Sequence, residues 1–290
     1  MSSSPSRRRT LAGVAFLLAG TTTIQWSAAV VMPVFTRIGP AASSAWRFLF
    51  GALALLIISR PKIRSWSRHQ WIGAAALGSS TAFMGFCFYQ AIARIPLGTA
   101  VAIEYLGPFL VAAFAKRSVR HFVFVALAGA GVVALARPGG GVTLLGVLFA
   151  LGSGAGWAGY AFASHRVGGS IEGFGGLAVA MSISALVTLP FGVSSAHELI
   201  TRPWLGGRMV LVGVAAIALG FGLEMQALRR IKPGVVSVLI ALDPAIAFLM
   251  GWLFIGQGVS ITDLVGLACV VGAGVGVTYD VTRGVVPIAQ

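Results

Sequence analysis

The chain has 290 residues, of which 57% are hydrophobic and 10% charged, and its mean hydropathy is +0.92. This composition excludes an ordinary water-soluble domain and places the chain in lipid. A formal charge of +14 would suggest nucleic-acid binding in a soluble protein, so the positions of the basic residues decide what the charge means.

Apolar runs of about 20 residues, enough to cross a hydrocarbon core, recur along the chain with short polar breaks. They predict an all-α integral membrane fold of ten transmembrane helices, over 11–33, 41–59, 71–92, 97–115, 121–136, 142–164, 173–196, 209–228, 233–255 and 259–279. Gly39-Pro40, Arg60-Pro61 and the stretch from Arg137 to Gly141 are expected to stop helices between them. The start, SRRRTLAGVAFLLAG, has the basic head and apolar run of an export signal, but the run continues to Met32 and reads as an uncleaved first helix. Cys87 and Cys269 fall inside apolar runs and read as small buried hydrophobes.

Ten spans divide the 21 basic residues unevenly. Fifteen fall on the amino-terminal side of the membrane, five on the other, and Arg47 lies within a span. The positive-inside rule then puts both termini in the cytoplasm, and topology accounts for the charge without nucleic acid. Residues 1–10 and 280–290 are read as cytoplasmic tails.

The chain also repeats. QAIARIPLGTAVAIEYLGP, from Gln90 to Pro108, aligns without a gap on QALRRIKPGVVSVLIALDP, from Gln226 to Pro244. A weaker echo joins Gly13, Val14 and Phe16 to Gly146, Val147 and Phe149. The expected units are residues 11–136 and 142–279, five spans each, and an odd number of spans inverts the second copy. Inverted repeats are a common construction of secondary transporters, which bind substrate between the halves near the bilayer midplane.

Ionisable groups at membrane depth are costly and so mark function. Arg47, Glu104, Glu224 and Asp243 qualify, whereas Asp263 reads as interfacial or as a helix-start residue. Glu104, Glu224 and Asp243 are the candidates for proton coupling. Pro108 and Pro244 hold equivalent positions in the repeat and are candidate hinges, each freeing the carbonyl four residues earlier, those of Glu104 and Ile240. Gln25, Tyr89, Tyr105, Trp157 and Tyr160, with an apolar body and a polar tip, are candidates to line a substrate cavity together with Arg47, Glu104 and Asp243. Trp66, Trp71 and Trp204 read instead as an interfacial belt. Glycine pairs such as Gly152 and Gly156, or Gly272 and Gly276, suggest close helix packing. His69, His121, His165 and His197 are expected in loops, which leaves no intramembrane histidine or metal site. No phosphate-gripping GxxxxGK[ST] appears, so no cofactor is expected and an ion or substrate gradient must supply the energy.

Ten spans in two five-helix halves, Arg47 within WRF, and a proline in spans four and nine resemble the EamA group of the drug/metabolite transporter superfamily. Within it, AIARIPLGTAVAIEYLGPFLVA, from Ala91 to Ala112, is similar to the same region of bacterial threonine and homoserine exporters. The resemblance implies an inner-membrane exporter of small polar metabolites, amino acids first, driven by proton exchange, acting as a monomer or homodimer and not as an enzyme. A broad exporter of drugs, purines or nucleotide sugars is the alternative within transport, and a membrane-embedded enzyme the alternative outside it.

Overall fold

The computed structural model describes residues 5–107, 110, 119–135, 141–167 and 173–283. These residues are helical almost throughout, with no strand among them. The helices are α1 (Pro5–Val31), α2 (Phe35–Ser59), α3 (Arg68–Ile92), α4 (Leu97–Glu104), α5 (Val119–Leu135), α6 (Leu144–Val167) and α7 (Gly173–Thr188). The short α8 (Ala196–Thr201) follows, then α9 (Pro203–Gly213), α10 (Phe221–Leu228), α11 (Pro233–Ile240), α12 (Asp243–Ile255) and α13 (Ile261–Arg283). Among the described residues, five helical stretches are long and apolar enough to cross a membrane: Arg9–Ser59, Arg68–Ile92, Phe174–Phe191, Pro203–Leu228 and Val238–Ile255. Shorter apolar helices cover Phe122–Leu135, Leu144–Tyr160 and Ile261–Val277. Large apolar side chains such as Ile57, Ile58, Leu186 and Val133 point outward, as a surface facing lipid requires.

Some boundaries fall as expected and others differ. Gly39-Pro40 breaks the helical run as expected: Gly39, at φ 77° and ψ 163°, leaves the helical region, so α2 comprises two helices that meet at a kink there. Arg60-Pro61 does terminate α2, with Arg60 itself in the left-handed conformation at φ 43°. The run expected over 173–196 ends as α-helix at Thr188, where Pro190 brings in 3-10 turns. The run expected from 209 begins at Pro203, which is suited to the first turn, and is continuous to Leu228 through a π-helical segment, Val214–Gly220. The four histidines lie in the terminal turns of α3, α5, α6 and α8 and not in loops, since these helices extend past their apolar stretches into polar sequence. Asp263 starts a helix as expected: its Oδ2 accepts from the Ser260 N–H at 2.8 Å and its own N–H donates back to Ser260 Oγ at 3.2 Å.

Close approach of helices depends on glycine at particular crossings. A Cβ on Gly107 would lie 2.2 Å from the Gly154 carbonyl oxygen, and one on Gly154 would lie 2.6 Å from that of Glu104, so the end of α4 lies directly on α6. Gly156 packs on Met84 and Gly276 on the Phe124 ring, as small-residue spacing implies, whereas a Cβ at Gly272 would meet nothing within 4 Å. Gly272 is therefore not a packing glycine.

The aligned repeat segments adopt the same geometry. Arg94 Nη1 donates to the Gln90 carbonyl and to Gln90 Oε1, each at 2.6 Å, and its guanidinium lies 5.1 Å from the Phe149 ring centre. Arg230 Nη1 donates to the Gln226 carbonyl and to Gln226 Oε1, each at 2.6 Å, and lies 4.8 Å from the Phe16 ring. Gly146 admits Ile95 and Arg94 against α6, and Gly13 admits Ile231 and Arg230 against α1. The weak echo between residues 13–16 and 146–149 is thus the counterpart surface of the strong repeat.

Candidate functional site

The two elements carrying the deep acids of the repeat are broken helices. α11 stops at Ile240 and α12 starts at Asp243, with Pro244 in its first turn, so the ten-residue depth expected for Asp243 within one span becomes the first position of a new helix. A carboxylate there meets the positive end of the helix dipole. α4 ends at Glu104, and Tyr105 caps it in the right-handed conformation, its N–H bonded to the Val101 carbonyl. Pro108 lies outside the described residues.

Tyr105 joins the two breaks. Its hydroxyl is 2.8 Å from the carbonyl of Ile240, the group that Pro244 cannot satisfy, and 2.8 Å from Asp243 Oδ2. The edge of its ring packs against Trp157 of α6, centres 4.7 Å apart. Gln25 of α1 completes the hold on Asp243, its Nε2 donating to Oδ1 at 3.3 Å. One helical turn earlier on the same face, Thr21 donates to Glu224 Oε1 of α10 at 3.3 Å. Ser153 of α6 donates to Glu104 Oε1 and sits over the Met84 carbonyl at 3.0 Å. Glu104 and Glu224 both lie within electrostatic reach of Asp243. The structure therefore gathers buried Gln25, Glu104 and Tyr105 and half-buried Trp157, Glu224 and Asp243 from α1, α4, α6, α10 and α12 into one polar region.

Arg47 and Tyr89 stand at its margin. Arg47, only 4% exposed, makes no ion pair among the described residues; its guanidinium lies 5.0 Å from the ring centres of Phe48 and Tyr89. Tyr89 is fully buried and also packs on Phe35. Its hydroxyl sits beside the Arg47 guanidinium without the alignment of a true hydrogen bond. Tyr160 is half-buried three residues beyond Trp157 on α6. The sequence reading missed Thr21, Ser153 and Ser44. A signal for two of them exists: Thr21 follows Gly20, and Ser153 lies between Gly152 and Gly154, so both hydroxyls sit where a neighbouring helix can come close.

Acids set among interrupted apolar helices, with the carbonyl freed by Pro244 turned to Tyr105, are features of a membrane transporter. The chain belongs to the EamA-like transporter family, whose model matches residues 11–136 and again residues 144–279. It is 31% identical to the threonine/homoserine exporter RhtA of Escherichia coli, over 93% of this chain and 92% of that protein. It is 30% identical to the RhtA of Salmonella typhimurium, over 92% and 91%. An uncharacterized transporter of Bacillus subtilis, YvbV, is 26% identical over 78% of each chain. A solved crystal structure superposes with a TM-score of 0.60 at 18% identity, covering 93% of this chain and 98% of the other, which is a likeness of fold.

Proposed function

We propose that this chain exports small zwitterionic metabolites, amino acids of the threonine and homoserine kind, across a bacterial inner membrane in exchange for protons. Ten spans in two inverted five-helix halves, with both termini in the cytoplasm, carry the cycle, and Pro108 and Pro244 are its hinges. The matching Arg94 and Arg230 junctions support the repeat, and the exporter relatives support the substrate class.

The observation that carries the proton coupling is the pair of short contacts at the Tyr105 hydroxyl. A phenol has one proton to give, yet two acceptors stand 2.8 Å away. A proton on Asp243 resolves this: Asp243 donates to the Tyr105 oxygen, Tyr105 donates to the Ile240 carbonyl, and Gln25 donates to the other oxygen of Asp243. When that proton leaves, the carboxylate is free to pair with the ammonium of a substrate. Glu104 and Glu224, held by single hydroxyls of Ser153 and Thr21, pass protons to and from it. One acid thus alternates between proton and substrate, which is the minimum that antiport requires.

Uptake of labelled threonine and homoserine into inverted vesicles, with and without an imposed pH gradient, tests this reading. The expected result is accumulation that collapses with the gradient and is lost in a Glu104→Gln, Asp243→Asn double variant. Full pH-dependent transport by that double variant refutes the assignment of the acids. No uptake under any gradient by folded protein refutes the substrate and directs the search to drugs and other metabolites.

A further inference from the structure

Three buried polar side chains stand together near the acids with a polar atom that has no hydrogen-bond partner among the described residues: Arg47 at Nε, Ser44 at Oγ and Tyr89 at its hydroxyl. Ser44 and Arg47 are three residues apart and share a face of α2, Tyr89 approaches from α3, and all three are more than nine-tenths buried. The surroundings fix them in place. The Gly213 position lies against the Arg47 carbonyl, where a Cβ would be 2.7 Å away, and the Gly85 position lies under the Phe48 ring beside the guanidinium. The π-helical segment Val214–Gly220 begins next to this contact, and such segments recur at functional sites.

All three groups can donate, and one of them is a fixed positive charge, so the complement is an anionic oxygen group. Resting on the transporter reading above, we propose that Ser44, Arg47 and Tyr89 form a subsite for the carboxylate of the transported molecule. Arg47 lies within electrostatic reach of Glu104 without pairing with it. An α-amino acid carries its carboxylate and ammonium on one carbon, and laid between the two it meets both. Arg47 reads the acid end, the Glu104 and Asp243 region reads the amine end, and the side chain is left to face Trp157 and Tyr160.

Thermal stabilisation of the detergent-purified full chain tests this, with L-threonine, L-threonine amide, N-acetylthreonine, a panel of other L-amino acids and inorganic phosphate as probes. Threonine is expected to raise the melting temperature and threonine amide is not. Ser44→Ala and Tyr89→Phe, each missing one oxygen, should weaken threonine binding by about tenfold, the order expected for one hydrogen bond to a charged group. Arg47→Gln should abolish the preference for the acid over the amide; should that variant not fold, the two single-oxygen variants carry the test.

Equal stabilisation by threonine and its amide overturns the subsite while leaving the transporter reading intact. Stabilisation by other amino acids, with no threonine or homoserine transport in vesicles, does the reverse. Phosphate acting more strongly than any amino acid, or no carboxylate acting at all, also overturns it.

Discussion

Replacing Tyr105 by Phe removes one oxygen and keeps the ring that packs on Trp157. That oxygen stands 2.8 Å from Asp243 Oδ2, so the worth of the contact depends on whether Asp243 carries a proton. Polar pairs between membrane helices contribute about 0.6 kcal/mol on average and up to about 1.7, whereas a hydrogen bond to a charged group contributes about 1.5–3 kcal/mol. With Asp243 protonated, as proposed above, the pair is neutral and the lower range applies. A double-mutant cycle of Tyr105→Phe and Asp243→Ala, read by unfolding of purified protein in mixed micelles, isolates this coupling from the loss of the Ile240 contact, which both Tyr105→Phe corners share. The expected coupling is about 0.6–1.7 kcal/mol. A value indistinguishable from zero means that the pair is not formed, and one above about 2 kcal/mol means that Asp243 is charged in this conformation; either result refutes the proton assignment.

Gly154→Ala should lower stability by about 1–3 kcal/mol, the cost of overpacking, because its Cβ would press on the backbone at Glu104; a melting experiment checks this. Gly272→Ala, with nothing within 4 Å, should leave the melting temperature unchanged or raise it, by up to about 1 kcal/mol in stability. Arg94→Lys and Arg230→Lys should destabilise to a similar degree, on the order of 0.5–2 kcal/mol each, since both lose the same stacking on Phe149 or Phe16. A large difference between the two in unfolding experiments would contradict equivalence of the junctions. Ser260→Ala should cost α13 about 1 kcal/mol through its lost cap, read from hydrogen exchange in the first turn of that helix.

The sequence carried the apolar helices, the repeat and the deep acids, because each is a statement about order along the chain. Gln90 to Arg94 and Gln226 to Arg230 aligned without a gap, and the structure gives them the same bonds at the same 2.6 Å. What joined Asp243 to Gln25, 218 residues away, was not legible, since no spacing rule links a glutamine on one helix to an acid on another. The same limit hid Ser153 and Thr21 as partners of Glu104 and Glu224. Pro244 showed that the Ile240 carbonyl would need a donor, and only the fold showed that the donor is Tyr105. Gly39-Pro40 was legible as a break, because a glycine free to take positive φ followed by a proline interrupts a helix wherever the pair falls.

Both arginine junctions tie one half of the chain to the other, and the tie at the amino-terminal end is the longest: Arg9 donates to the Arg229 carbonyl across 220 residues. At elongation rates of roughly 5–20 residues per second, α1 leaves the ribosome on the order of 10–40 s before the segment it will pack against exists. Gly13, Phe16 and the polar face bearing Thr21 and Gln25 must spend that interval in lipid or against a provisional partner. Biogenesis of this protein is therefore a waiting problem for its first helix, one that a slowed ribosome prolongs and that Arg230 resolves on arrival.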